Sequence, residues 1–190
     1  MPSTSRGHRV AVLAMGALTA IVTLSADDKQ AVPYPDGFRS WTHVKSIIVG
    51  PDHATFAKRG GIHHYYANEA AVAGYRAGSF PDGSIVVDEA VFTKDGEGRA
   101  KGITLEGDRR FLDVMVKDSH RYATTGGWGY EHFDRNETTG QLSASDQATC
   151  SACHSKSPAD HVFSVIRPCT GPGVRQLRAL LRPARTSRWM

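Results

Sequence analysis

The chain has 190 residues, 40% of them hydrophobic and 22% charged, with 19 Gly, 9 Pro, 3 Cys and a formal net charge of +4. These values describe one ordinary globular domain and exclude a collagen-like, coiled-coil, disulfide-knotted, wholly disordered or polytopic membrane chain. The basic excess sits at the ends: Arg6 and Arg9 at one, five arginines and no acid in the last 22 residues at the other, so the body 27–168 falls from +4 to −3. A mildly acidic body argues against a nucleic-acid partner, because phosphate binding needs a basic folded surface.

Arg6 and Arg9 precede a run without charge from Val10 to Leu24, followed by Ser25 and Ala26. A basic segment, an apolar segment and small residues in that order predict a signal peptide over 1–26, with export to the periplasm; the run is short for a membrane span. The Tyr34-Pro35-Asp36-Gly37-Phe38 stretch predicts a turn, and His43 to Val49 a strand. His63 and His64 fall on a further strand, where neighbouring side chains point to opposite faces. Asn68 caps a short helix through Tyr75 that Gly78 closes.

After the Pro81-Asp82-Gly83 turn, Ser84 to Phe92 and Arg110 to Lys117 read as two strands joined by a long Gly-rich loop, Lys94 to Gly107. Gly126 to Phe133 is another strand, and Gln141 to Thr149 a polar approach to the cysteines. The tail 169–190 has apolar residues at helical spacing among arginines and reads either as a basic amphipathic helix or as a solvated appendage.

The strongest local signal is Cys150-Ser151-Ala152-Cys153-His154, the C-x-x-C-H pattern of covalent c-type haem attachment. Two thiols at that spacing add to the two haem vinyl groups, and the adjacent imidazole becomes the proximal iron ligand. Export and this motif agree, since c-type maturation takes place on the outer side of a bacterial inner membrane. A redox disulfide and half of a zinc site are the alternatives. Cys169 is left over as a free thiol or an intermolecular bridge.

The flanking residues carry a wider resemblance. Tyr34 to Trp41, His43-Val44-Lys45-Ser46, His63 to Asn68, Gly78 to Ser84, Val114 to Ser119, Thr125 to Glu131, and the haem motif followed by Asp160-His161-Val162-Phe163-Ser164 are similar to the cytochrome P-460 family and its relative cytochrome c′-beta, from about Tyr34 to Pro168. The resemblance implies an α+β fold, mainly antiparallel β-sheet with a few helices around one covalent haem c, in a homodimer. Members with the family chromophore oxidise hydroxylamine, with nitric oxide chemistry downstream, and carry a lysine bonded to the haem edge; relatives without that bond bind nitric oxide and other gases. The lysine position is occupied here by Asp88, and Lys94 lies six residues further on, so no crosslink is expected.

A small nitrogen ligand at an open haem iron and a soluble redox partner are therefore the expected partners, with a non-catalytic gas-binding or electron-transfer cytochrome as the second reading. His63 aligns with a polar pocket position and is a candidate distal donor or base, or else a strand histidine. Phe56, Phe80, Phe92, Trp128 and Phe133 are candidates for an apolar haem wall, although core packing explains them equally. Glu131 is a candidate proton relay or a surface carboxylate, and Lys117 and Arg121 are candidate propionate partners or solvated strand-end charges.

Overall fold

A computed structural model describes residues 31–166. The segment 1–26 expected to be a signal peptide, Cys169 and the arginine-rich tail lie outside the described residues. Five strands, β1 (Thr42–Val49), β2 (Gly61–Ala67), β3 (Ile85–Asp95), β4 (Thr104–Lys117) and β5 (Trp128–Asp134), form one antiparallel sheet in the order β1-β2-β3-β4-β5. Among the described residues three α-helices accompany it: α1 (Phe56–Arg59), α2 (Glu69–Ala77) and α3 (Ala144–His154). The fold is α+β, and none of the described helices is long and apolar enough to cross a membrane.

Local chemistry accounts for the element ends. The Asn68 side chain accepts from the Ala71 N–H, and Gly78, at φ 81°, closes α2 in the left-handed region that favours glycine. Ser143 and Asp146 form a reciprocal capping box that starts α3. Two segments differ from expectation. Residues 94–95 and 104–107 are strand rather than loop, because β3 and β4 stay paired out to Asp95 and Thr104 by means of register shifts between Ala90 and Thr93. The polar approach to the cysteines is mostly helix, begun by the capping box.

The sheet is covered on both faces. On one, Val87, Leu112, Val114 and Phe133 pack against Val32 and Phe38 of the N-terminal segment and against Tyr122. On the other, Ala67, Val86, Trp128 and Tyr130 pack with Ala71 of α2, Phe80 and Val162. Between that second face and α3 the packing is incomplete, and the gap is the site.

Candidate functional site

Side chains alternate across a strand, so the register decides which residues share a face. Ala67, Val86, Met115 and Tyr130 are directly paired across β2 to β5 and form one row; Tyr65, Asp88, Asp113 and His132 form the next. The first row is apolar apart from one hydroxyl, the second polar throughout. Both line a cavity of about 590 Å³, save Ala67, and α3 closes it with Thr149, Cys150, Cys153 and His154, helped by Leu142, Val162 and Phe163. That volume lies within the ~300–1,000 Å³ typical of cofactor clefts.

The haem motif occupies the last turns of α3, with both thiols free. His154 donates its Nδ1–H to the His161 carbonyl at 2.8 Å, which leaves Nε2 with its lone pair available. This is the arrangement that fixes the tautomer of a metal-ligating histidine. The ring is packed between Tyr130 and Phe163, at centroid distances of 5.2 and 5.3 Å.

A redox dithiol fits this position poorly. Reactive C-x-x-C cysteines have lowered pKa values near helix N-termini, whereas Cys150 lies near a C-terminus and burial pushes its thiol up. For zinc, further ligands are needed, and among the described residues no group of three or more His, Cys, Asp or Glu is placed to hold a metal ion. Two thiols, one tautomer-fixed imidazole and an apolar row beside a large cavity fit a haem attached at Cys150 and Cys153.

The polar row is tied together by Arg59 of α1. Its guanidinium donates to Asp113 at 2.8 Å and to Asp88 at 3.0 Å, and stacks over Phe111. His132 Nδ1 lies 2.6 Å from the other Asp113 oxygen. The Asp113 hydrogen bond raises the His132 pKa above its ordinary value. Burial would raise Asp113, but His132 and Arg59 hold it below the usual carboxylate range. Burial, together with the neighbouring Asp88, pushes the Tyr65 phenol up.

His63 shares this face but does not line the cavity; it is 1% exposed. Its Nδ1 faces Asp88 at 2.9 Å and its Nε2 faces the Arg59 carbonyl at 2.7 Å. Both partners are acceptors, so the pocket favours the doubly protonated ring, which can donate from both nitrogens. Burial opposes that charge, yet the Asp88 contact outweighs it and the pKa is raised. His63 thus positions Asp88 and Arg59 from behind. His64 points to the other face, where Nδ1 meets Ser46 Oγ at 2.8 Å.

Other expected residues lie elsewhere. Phe56 is exposed on α1, and Phe92 carries Arg110 and Arg135 over its ring. Phe80 and Trp128 pack edge to face at 5.5 Å inside the core, while Phe133 belongs to the opposite face of the sheet. None of the five lines the cavity. Glu131 borders it, but Oε1 accepts the N–H groups of His132, Gln141 and Leu142 at 3.0, 2.9 and 2.8 Å, which anchors the chain entering α3.

Lys117 reaches Asp160 at 2.9 Å, and Arg121 reaches the Ala31 carbonyl at 2.7 Å. Neither borders the cavity, whose only Lys or Arg among the described residues is Arg59. Asp88, at the position where the resemblance places a crosslinking lysine, does line it, and no lysine does so among the described residues.

Sequence reasoning passed over Arg59, Tyr65, Asp113, Met115, Tyr130 and His132. The alternation in β5 was the available signal, since it sets His132 and Glu131 on opposite faces. A family model described as cytochrome P-460 matches residues 35–164, more than half of the chain. No curated protein matches it.

Proposed function

The chain belongs to the cytochrome P-460 family and is a c-type haem protein; from that premise we propose that it is an exported, single-haem protein that binds or oxidises hydroxylamine or nitric oxide in the cavity beside α3. The observation that carries the reading is the polar row. A site for passive electron transfer has no use for Arg59, Asp88, Asp113, His132 and Tyr65 lining the same cavity as the haem motif. A small, polar nitrogen ligand needs hydrogen-bond partners and a proton acceptor there.

Bound haem supplies a one-electron iron centre with a coordination position for a small ligand. The chain supplies the rest. Cys150 and Cys153 would hold the group, and His154 would present Nε2 to its iron. Arg59 and the Nδ1–H of His132 hold Asp113 as a carboxylate acceptor facing the cavity, and the His132 ring, about one-third exposed, joins it to solvent. Electrons released by an oxidation leave through a soluble redox partner. The arginine-flanked apolar segment 6–26 supports export, in the compartment where c-type maturation takes place.

Electron transfer is the second reading, favoured by Met115, which lines the cavity and is of the residue type whose thioether ligates the iron in cytochromes c. Titration of nitric oxide and hydroxylamine into the purified haem protein, followed by absorption, separates the two. Saturable changes with both ligands support the proposal. A spectrum indifferent to both, which Met115→Ala renders responsive, refutes it in favour of electron transfer.

A further inference from the structure

The motif Asp160-His161-Val162-Phe163-Ser164 contributes only its last three residues to the cavity lining. Its first two carry an unusual backbone. Asp160 and His161 are consecutive non-glycine residues at positive φ, 45° and 68°. Such a backbone persists at non-glycine residues only where surrounding contacts over-determine it.

Those contacts converge on Asp160. Its carboxylate accepts from the Phe80 N–H at 2.9 Å, from Lys117 Nζ at 2.9 Å and from Trp128 Nε1 at 3.2 Å. The donors belong to the α2–β3 connection, β4 and β5, so one side chain ties this turn to three parts of the framework. Ser157 Oγ adds a bond to the Val162 carbonyl at 2.7 Å. On the far side, the His161 ring lies against Gly126, where a Cβ would come within 2.7 Å of it. All of this rigidity aims one group: the His161 carbonyl, which takes the Nδ1–H of His154.

We propose that Asp160 is a positioning residue for the haem-ligating histidine, holding the His161 carbonyl on His154 and thereby setting the basicity of the ring and the reduction potential of the iron. The inference rests on the reading of His154 as the iron ligand. A hydrogen bond donated by Nδ1 makes the opposite nitrogen a stronger donor, and that stabilises the oxidised metal. Loosening the turn weakens the bond and raises the potential.

The test uses the haem-loaded protein with potentiometry and resonance Raman of the ferrous state. Asp160→Ala is expected to shift the ferric-to-ferrous equilibrium about tenfold towards ferrous, about 59 mV for a one-electron couple, and to lower the iron–histidine stretching frequency. Asp160→Asn keeps the shape but turns one acceptor into a donor, so a smaller shift in the same direction follows. His161→Gly keeps the carbonyl and tolerates the positive φ but loses the ring that lies on Gly126 and meets Tyr130 Oη at 3.2 Å, so it shifts the potential in the same direction by less than Asp160→Ala. If Asp160→Ala fails to fold, the Asn variant decides.

Wild-type potential and frequency in the folded Asp160 variants overturn the proposal, as does a His161→Gly shift as large as that of Asp160→Ala. Failure of the underlying reading looks different, because wild-type protein would then show no iron–histidine stretch at all.

Discussion

Glu131→Ala is expected to destabilise the protein by about 3 kcal/mol and to loosen the start of α3. One oxygen of this buried carboxylate accepts three backbone N–H groups, two of them from the 141–142 segment that leads into the Ser143 capping box. Hydrogen bonds to a charged partner contribute roughly 1.5–3 kcal/mol each. A full threefold sum overstates the loss, since a second cavity of about 430 Å³ lined by Glu131, Gln141 and Leu142 lets water reach the freed donors. Glu131→Gln keeps an acceptor oxygen and loses only the charge, about 1 kcal/mol. Gly140→Ala provides an independent approach, because its Cβ would lie 2.3 Å from the pinned carboxyl carbon, and the displaced side chain reproduces most of the alanine loss. The assay is urea unfolding of the haem protein at fixed pH, paired with ligand titration. A Glu131→Gln variant of wild-type stability that no longer responds to hydroxylamine would refute the anchoring role and restore Glu131 as a proton relay.

Arg59→Met should cost about 2 kcal/mol near neutral pH, a figure reduced for the 40% exposure of its side chain, and the loss should fade on acidification through the lowered value of Asp113 as that carboxylate takes up a proton; chemical denaturation across pH measures both. The raised pKa of His63 means that its imidazolium contributes stability fully below about pH 6.5 and loses it as pH rises through the higher folded value, so the stability gap between wild type and Asp88→Asn should narrow over that rise. His132→Gln should reduce hydroxylamine turnover about 10²-fold or more while nitric oxide binding changes little, checked by steady-state rates beside a binding titration. Cys150→Ser with Cys153→Ser should abolish haem retention under denaturing conditions, read by haem staining of a gel.

The strands and α2 were legible because their signals are local: β-branched runs in 84–92 and 110–117, and a cap at each end of 68–78. Cys150, Cys153 and His154 were equally legible, since the motif is contiguous. The polar row was not. Tyr65, Asp88, Asp113 and His132 are spread over 68 positions and meet only through the register of three strand pairings, which no single segment encodes. The same rule, applied within β5 alone, separates His132 from Glu131. Aromatic residues misled for a physical reason: Phe80, Trp128 and Phe133 carry large apolar surfaces that either core accommodates, so their identity says nothing of which side they face. Lys117 and Arg121 were candidates for the haem propionates on charge alone, with solvated strand-end charges as the alternative, and the partners they meet, Asp160 and the Ala31 carbonyl, lie 43 and 90 residues away along the chain.

The most direct test is electron paramagnetic resonance of the ferric protein, matured in a host with c-type assembly, before and after nitric oxide is added. The account predicts one covalently held haem per chain with a high-spin ferric signal that nitric oxide abolishes. A low-spin signal that nitric oxide leaves unchanged, or a chain matured without haem, would contradict it.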